Sequence, residues 1–579
     1  MDLQAKGKRK RTVTACSECY RRKQKSIPFG LLSPRDNWSS VGAPDPSISQ
    51  RYRELLSGLP PNAILADLVD VFFAETLVYS QVLERFYFDK LHSDWLTSNA
   101  ELTTVALPRD ILFFSALVSQ VAAVALQFLP SQAAVRGELG IEDHEQCDKL
   151  SQTYSNLGEE FMALLSRENP TIVGVQHDLL RAVWFKNSGR GTAAWHVLGS
   201  AIRQAQDQGF HLEVKVNQSG GDIKETITNM WYDEYKRRLW VILFVWDSHL
   251  AVILNRPRLI HLNDCSAKKP TDCEFPQDPT SCIPKAAGID EPPSSLAVQL
   301  FSYDIGCKVH AMFSSGAHTR HVSSYETVMN LDRDVRGMLE RLPPAIRQNN
   351  PDTTWDSQCP WIVQQRHTVA VIAHSFLLSL HRNHISLHQE SRQAAIIGAL
   401  TVLETEGSLF LLLEEHQRRL YSLSCYVMDA SIFLAYMMFA TPTPERQLID
   451  RILIAVSKAA DQVASIQDKS PLASCGTRVL SACVQSLHKT WGSLIGCTGR
   501  SRLPAIQQPT HECVPPSPSL EPPRDGDTTR EPLLPTITLD DRLDVSMFEE
   551  FYFNNSLPDE FYVNFSNEVR DLDPDLPFL

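Results

Sequence analysis

An all-α fold is predicted, with one large helical domain set between two tails of different character. Three observations predict it. Apolar residues recur in steps of three and four from about residue 64 to 260, the spacing that lines one face of a helix with 3.6 residues per turn. The same period resumes over about 297–340, 361–388, 394–439 and 445–495. Hydrophobic residues make up 43% of the 579, enough for a core of one large domain or two subdomains.

In chain order, residues 1–26 form a basic arm. Residues 27–63 are rich in Pro, Ser and Gly and read as a linker, with no sustained heptad to support a coiled coil. The helical domain is placed at 64–497. Its first helix starts at Ile64, Leu68, Val71 and Phe72 and is expected to run to about Tyr87. Ile111–Leu129 is nineteen residues without a charge, near membrane-spanning length. Ser115, Ser119, Gln120 and Gln127 interrupt it, Pro130 ends it and no basic cluster flanks it, so a buried core helix is expected.

A helix over 174–187 is broken by Ser188-Gly189-Arg190-Gly191. The next helix shares one apolar face among positions 194, 195, 198, 201, 202 and 205 and stops at Gly209. Tyr235, Leu239, Ile242, Leu243, Trp246, Leu250, Ile253 and Leu254 make a broad apolar stripe that ends at Asn255-Arg256-Pro257-Arg258. Residues 263–297 are rich in Asp, Cys and Pro and read as a long loop. Residues 498–579 are expected to be disordered, Pro-rich first and acidic afterwards.

Charge is distributed unevenly. The net charge is −13, yet residues 1–25 carry Lys6, Lys8, Arg9, Lys10, Arg11, Arg21, Arg22, Lys23 and Lys25 against Asp2 and Glu18. Residues 540–579 carry eleven acids against Arg542 and Arg570. Such a head seeks phosphate, and such a tail seeks basic or coactivator surfaces. Lys8-Arg9-Lys10-Arg11 also reads as a nuclear-import patch, which places the protein in the nucleus. The thirteen cysteines are scattered without a paired framework, which fits a reducing compartment. In the tail, Phe548, Phe551, Tyr552, Phe553, Phe561 and Tyr562 alternate with carboxylates. Repulsion between the acids keeps these rings exposed, the composition of an activation segment that folds on binding.

Several motifs carry less than they suggest. Gly189-Arg190-Gly191-Thr192-Ala193-Ala194 matches a relaxed dinucleotide fingerprint, but a helical pattern precedes it where the fingerprint needs a strand, so a helix–helix corner is expected. Cys265, Cys273 and Cys282 have seven and eight intervening residues, a spacing that fits no compact zinc site even with His261 nearby, so surface loop thiols are expected. His374, His381 and His384 read as partly exposed polar residues of a helix. Asp247 falls inside the apolar stripe, and a buried Asp must be paired. A structural ion pair with Arg238 or Arg256 is expected for it. No Ser-His-Asp set, phosphate loop or paired-carboxylate motif stands out, and an enzyme is not expected.

The most specific motif is at the N-terminus. Cys16 and Cys19 have the two-residue spacing that puts two thiolates on one metal, and Arg21-Arg22-Lys23-Gln24-Lys25 follows at once. This resembles the opening of the fungal binuclear zinc cluster, the Zn₂Cys₆ DNA-binding module. The resemblance implies two Zn²⁺ ions as cofactors and a basic helix in the major groove, with Arg22 and Lys23 on bases and Arg21 and Lys25 nearer the backbone. That family has its third cysteine at the position of Ser26, and the next cysteine here is Cys147. Two thiolates leave half of a tetrahedral shell open, so residues 1–30 as written are expected to be unfolded and to bind zinc weakly. Either coding sequence is missing between Lys25 and Ser26, or the protein has shed the module.

Farther on, Gly209-Phe210-His211, then Arg237-Arg238-Leu239-Trp240, Trp246-Asp247 and Asn255-Arg256-Pro257 resemble, in the right order, the regulatory domain found downstream of such clusters. The resemblance covers roughly 65–330 and implies a nuclear transcription regulator. Its implied partners are promoter DNA and coactivators, with a small-molecule inducer and a homodimer also allowed and no membrane. The alternatives are a regulator without autonomous DNA binding and an all-α small-molecule-binding protein or enzyme.

Overall fold

The computed structural model describes residues 46–76, 81–99, 107–213, 222–288, 291–440 and 445–491. Among these residues there are sixteen α-helices and no strand. In order they are α1 (Pro46–Leu56), α2 (Asn62–Glu75), α3 (Arg85–Asn99), α4 (Arg109–Gln127), α5 (Val135–Glu138), α6 (His144–Leu165), α7 (Ile172–Asn187) and α8 (Gly191–Asp207). Then come α9 (Ile223–Ile253), α10 (Ala297–Ser314), α11 (Tyr325–Glu340), α12 (Trp361–His381), α13 (Gln389–Leu412), α14 (Ser422–Ala440), α15 (Arg446–Ala464) and α16 (Pro471–Trp491). The basic arm with Cys16 and Cys19, and the acidic tail, lie outside the described residues.

Helix α4 is the axle of the N-terminal half. Its uncharged side chains are almost all buried, and α2, α3, α6 and α7 pack around it. Arg109–Gln127 and Gln389–Leu412 are each long and apolar enough to cross a membrane, but 89% and 61% of their apolar windows are buried within this helical array. Caps fix the ends. Asp143 accepts from the Gln146 N–H at 2.8 Å to start α6, and Thr171 accepts from the Gly174 N–H at 3.0 Å to start α7. Helix α8 ends where Gly209 takes a φ of 75° and the Phe210 N–H reaches back to the Ala205 carbonyl at 3.0 Å. The Gly189 corner joins α7 to α8, so a helix precedes the would-be fingerprint.

Two main apolar cores form, beside a small cluster of Ala345, Cys359 and Ile362. The larger runs through α1–α4, α6–α9 and α13–α16. The smaller gathers Phe301, Ile305, Val309, Val328, Val335, Phe376 and Leu377 from α10, α11 and α12.

The structure departs from the expected boundaries in two places. The stretch expected as linker ends in α1, because Tyr52 and Leu55 lie one turn apart and bury against the domain. The Tyr52 hydroxyl donates to the Leu112 carbonyl at 3.1 Å and pairs with Ser115 Oγ at 2.7 Å. The first predicted helix does not reach Tyr87. It stops at Glu75, Gln81 adopts a left-handed φ of 41°, and Tyr87 begins again in α3.

One buried polar hub ties three helices. Asp178 of α7 is fully buried and accepts from Arg167 Nε and Nη2 at 3.0 Å each, His177 Nδ1 at 2.9 Å, Ser200 Oγ at 2.7 Å and Gln204 Nε2 at 2.6 Å. Arg167 also holds Glu159 of α6 at 2.8 Å. Burial alone would raise the Asp178 carboxyl, but His177 and Arg167 outweigh it and hold the group well below the usual carboxylate range. Helix α6 comes close here because Gly158 has no side chain. A Cβ there would sit 2.8 Å from His177 Nε2 and 3.1 Å from the Ala116 carbonyl oxygen.

A depressed carboxyl stabilises the fold above its unfolded pKa of 3.8 and loses that contribution as pH falls toward its folded value. Asp178→Asn therefore destabilises the domain by about 3 kcal/mol at pH 7, since Arg167 keeps only Glu159 and the buried donors around position 178 lose their charged acceptor. Urea unfolding followed by circular dichroism measures this, and the deficit shrinks below pH 4.

Candidate functional site

A cavity of about 280 Å³ opens where the two cores meet. The C-terminal end of α7 supplies Lys186 and Asn187. Helix α9 supplies Trp246, Ser248 and His249, and α10 and α12 supply Val298, Ile305, Val309 and Phe376. Glu406 and Leu409 of α13 close it with Tyr421, Cys425 and Tyr426 at the start of α14. The wall is mostly apolar with a few convergent polar groups, the composition of small-molecule sites.

Lys186 is placed by the sequence of α7. Its ammonium lies 4.3 Å from the centroid of the Trp246 ring and 4.5 Å from that of Tyr421, a cation between two aromatic faces. Among the described residues no carboxylate or hydrogen-bond acceptor pairs with it. Burial pushes it down to about 8. His249 Nδ1 meets the Tyr426 hydroxyl at 2.9 Å. Burial holds this imidazole well below its ordinary value, with Lys186 adding to the effect, so it is neutral at pH 7. Burial holds the Tyr426 hydroxyl well above 10, so it keeps its proton. His249 Nε2 is buried without a partner among the described residues.

Glu406 is the third group. It is 1% exposed, and neither oxygen meets a partner in good hydrogen-bonding geometry among the described residues. Burial pushes the carboxyl up to about 8, and the Ser422 hydroxyl offsets only part of this. At pH 7 it is mostly the neutral acid, a donor.

The residues expected to form an ion pair are placed differently. Asp247 is 1% exposed, but it pairs with neither Arg238 nor Arg256. Its oxygens accept the Leu259 N–H at 2.9 and 3.0 Å and the Ile260 N–H at 2.8 Å. Burial raises this carboxyl, and those N–H groups offset part of the rise. The carboxylate thus caps the turn that leaves α9, where Asn255 has a φ of 48°. Arg256 lays its guanidinium 4.9 Å from the Trp195 ring centroid. Arg238 bonds Glu84 Oε1 at 3.0 Å and the Cys273 carbonyl at 2.6 Å. It therefore joins the entry to α3 with the long loop that follows α9.

Two further expectations are corrected. His381 and His384 are buried, at 0% and 1% exposure. His381 bridges Ser391 Oγ at 2.9 Å and Asp332 Oδ1 at 3.0 Å, and His384 Nε2 donates to the Ala317 carbonyl at 2.8 Å. Cys273, expected at the surface, is buried beside Arg238, while Cys265 and Cys282 do reach the surface. No group of three or more His, Cys, Asp or Glu is placed to hold a metal among the described residues. Cys16, Cys19, Arg21, Arg22, Lys23 and Lys25 lie outside those residues, as do Lys8–Arg11 and the tail aromatics.

Residues 78–294 match the fungal specific transcription factor domain. The segment runs through the α3–α9 array, the Asp247 corner and the loop held by Arg238. The chain is 23% identical to transcription factor xilB of Penicillium rubens over 56% of its own length and 47% of that protein. It is also 23% identical to the probable transcription factor sol4 of Alternaria solani over 66% of each chain. Transcription factor phm2 of a Pyrenochaetopsis species is 23% identical over 62% of this chain and 47% of its own. The chain thus spans about half to two-thirds of the length of these relatives.

Glu406 gives a stability prediction. Its folded pKa lies above the ordinary 4.5, so unfolding releases a proton between pH 4.5 and about 8 and stability falls as pH rises through that range. Glu406→Gln is therefore more stable than the parent chain at pH 8, by on the order of 2–3 kcal/mol, and nearly equal to it at pH 5. Urea melts at the two pH values measure the difference.

Proposed function

We propose that this chain is a nuclear transcription regulator of the zinc-cluster type. The helical domain is its regulatory body, and its DNA-reading module is interrupted at Ser26. The observation that carries the reading is the domain match over residues 78–294, seated within a helical array that bears the Asp247 turn and the Arg238 clamp. Cys16 and Cys19 supply two thiolates, and four more are needed to hold two zinc ions. As written, the chain does not fit the metal, and its basic run Arg21–Lys25 meets DNA only as a charged arm. Such an arm binds without sequence preference and weakens steeply with salt.

Nuclear import is assigned to Lys8, Arg9, Lys10 and Arg11. Contact with coactivators is assigned to the tail aromatics Phe548, Phe551, Tyr552, Phe553, Phe561 and Tyr562. The reading makes the protein an activator without enzymatic activity.

Sequencing the native transcript across the Lys25–Ser26 junction tests the first half. The expected message encodes a further segment with four cysteines, the first directly after Lys25. A message that runs straight from Lys25 to Ser26 excludes metal-ordered DNA recognition for that product. The chain as written, purified in full, is expected to retain no stoichiometric zinc by elemental analysis. Two zinc ions per chain would overturn that expectation.

The tail has its own test. With the full chain tethered to a reporter promoter through a heterologous DNA-binding domain, replacing the six aromatics by Ser is expected to return expression to the level of the tether alone. Unchanged expression would remove the tail from the activation reading.

A further inference from the structure

The cavity between the two cores holds ionisable groups of opposite kind that do not satisfy one another. Lys186 sits between Trp246 and Tyr421, with no acceptor on its ammonium among the described residues. Glu406 is fully buried in the same wall, where the Ser422 hydroxyl approaches its carboxyl but neither oxygen meets a partner in good hydrogen-bonding geometry among them. A lysine and a glutamate that share a cavity would ordinarily be expected to pair, since an unpaired buried charge is costly. Here they stay apart, and His249 adds an orphaned Nε2 to the same space. The ammonium presents protons and so, because burial holds it neutral, does the Glu406 carboxyl, while Asp429 in the same wall is already held by Arg382. Donors converging in a mostly apolar space call for an anionic acceptor on an apolar body.

We propose that this cavity is a binding site for a small organic acid, with its carboxylate on Lys186 and His249 and its apolar body lying along the Val309 and Phe376 wall. The Trp246 and Tyr421 faces hold the ammonium in place before the ligand arrives, which lowers the ordering cost of binding. At about 280 Å³ the space suits a fused-ring or medium-chain acid better than a metal ion or a nucleotide. The site rests on the cavity alone, so it stands or falls separately from the transcriptional reading.

The test uses the full chain and two pairs of probes, 2-naphthoate with 2-naphthamide and decanoate with decanamide, each titrated by calorimetry at pH 7. At least one acid is expected to bind roughly tenfold or more tightly than its neutral amide, the scale of a charge-assisted hydrogen bond. Lys186→Met keeps the stem and removes the charge, and it is expected to erase that preference while leaving residual amide binding. Ser379→Phe fills the cavity from α12 without touching the charge and is expected to abolish binding of both members of the pair. It provides the second variant should Lys186→Met fail to fold by circular dichroism. Binding of neither acid by the parent chain overturns the proposal. So does equal binding of acid and amide, or a charge preference that survives both substitutions in folded protein.

Discussion

A carboxylate buried away from water must be surrounded by donors, and Asp178 sets the geometry of the N-terminal half by that requirement. Its donors come from its neighbour His177, from the α6–α7 connection and from two turns of α8. Meeting all of them at once fixes the spacing and rotation of α7 against α8, and Glu159 extends the network to α6. The far end of α7 is pinned as well, where Gln127 donates to the Trp184 carbonyl and the Ser188 hydroxyl at 3.0 Å each. A helix held at both ends presents Lys186 at a fixed place and angle. The cavity's cation thus depends on a network at the opposite end of its own helix.

Helix α9 is positioned by the same kind of constraint. Arg238 anchors its middle to Glu84 and to the Cys273 carbonyl, and Asp247 captures the chain after its end. Arg238 also works on its partner: burial pushes the Glu84 carboxyl up to about 7, and the guanidinium offsets part of that rise. Between these anchors the helix carries Trp246 and His249 into the cavity wall. The motifs that make this region resemble a regulatory domain are thus architectural. Trp-Asp and Asn-Arg-Pro build a corner, and the groups that face the cavity are their neighbours.

Helix period gave the fold class and most of the element boundaries, because core-facing stripes follow the 3.6-residue repeat whatever they pack against. The breaks were harder to see. The stop at Glu75 has no Gly or Pro to mark it, and the gap between α13 and α14 is the charged run 414–419, which reads in sequence as the solvated face of one continuous helix. α1 was hidden because its surroundings are Pro- and Ser-rich and only Tyr52 and Leu55 mark its buried face. Partner choice was hidden for another reason. Asp247 was legible as a buried acid, but its donors are backbone N–H groups, which leave no trace in side-chain sequence. Arg238 finds Glu84 from 154 residues away. The cavity was least legible of all, since Lys186, His249 and Glu406 come from three distant helices and each looks like an ordinary helix residue alone.

The interruption at Ser26 and the order of the helical domain are separate matters in physical terms. A complete zinc cluster folds by binding metal, so losing ligands there removes the structure itself. The domain from residue 46 to 491 has another source of order. Two apolar cores, the Asp178 hub and the Arg238 clamp close it, and no metal-holding group occurs among its described residues. A chain that lacks four cysteines therefore keeps its helical body and any chemistry the cavity supports. On the reading proposed above, what it lacks is the means of aiming Arg22 and Lys23 at a particular DNA sequence. Charge alone brings a protein to phosphate, but only a fixed helix in the groove distinguishes one site from another.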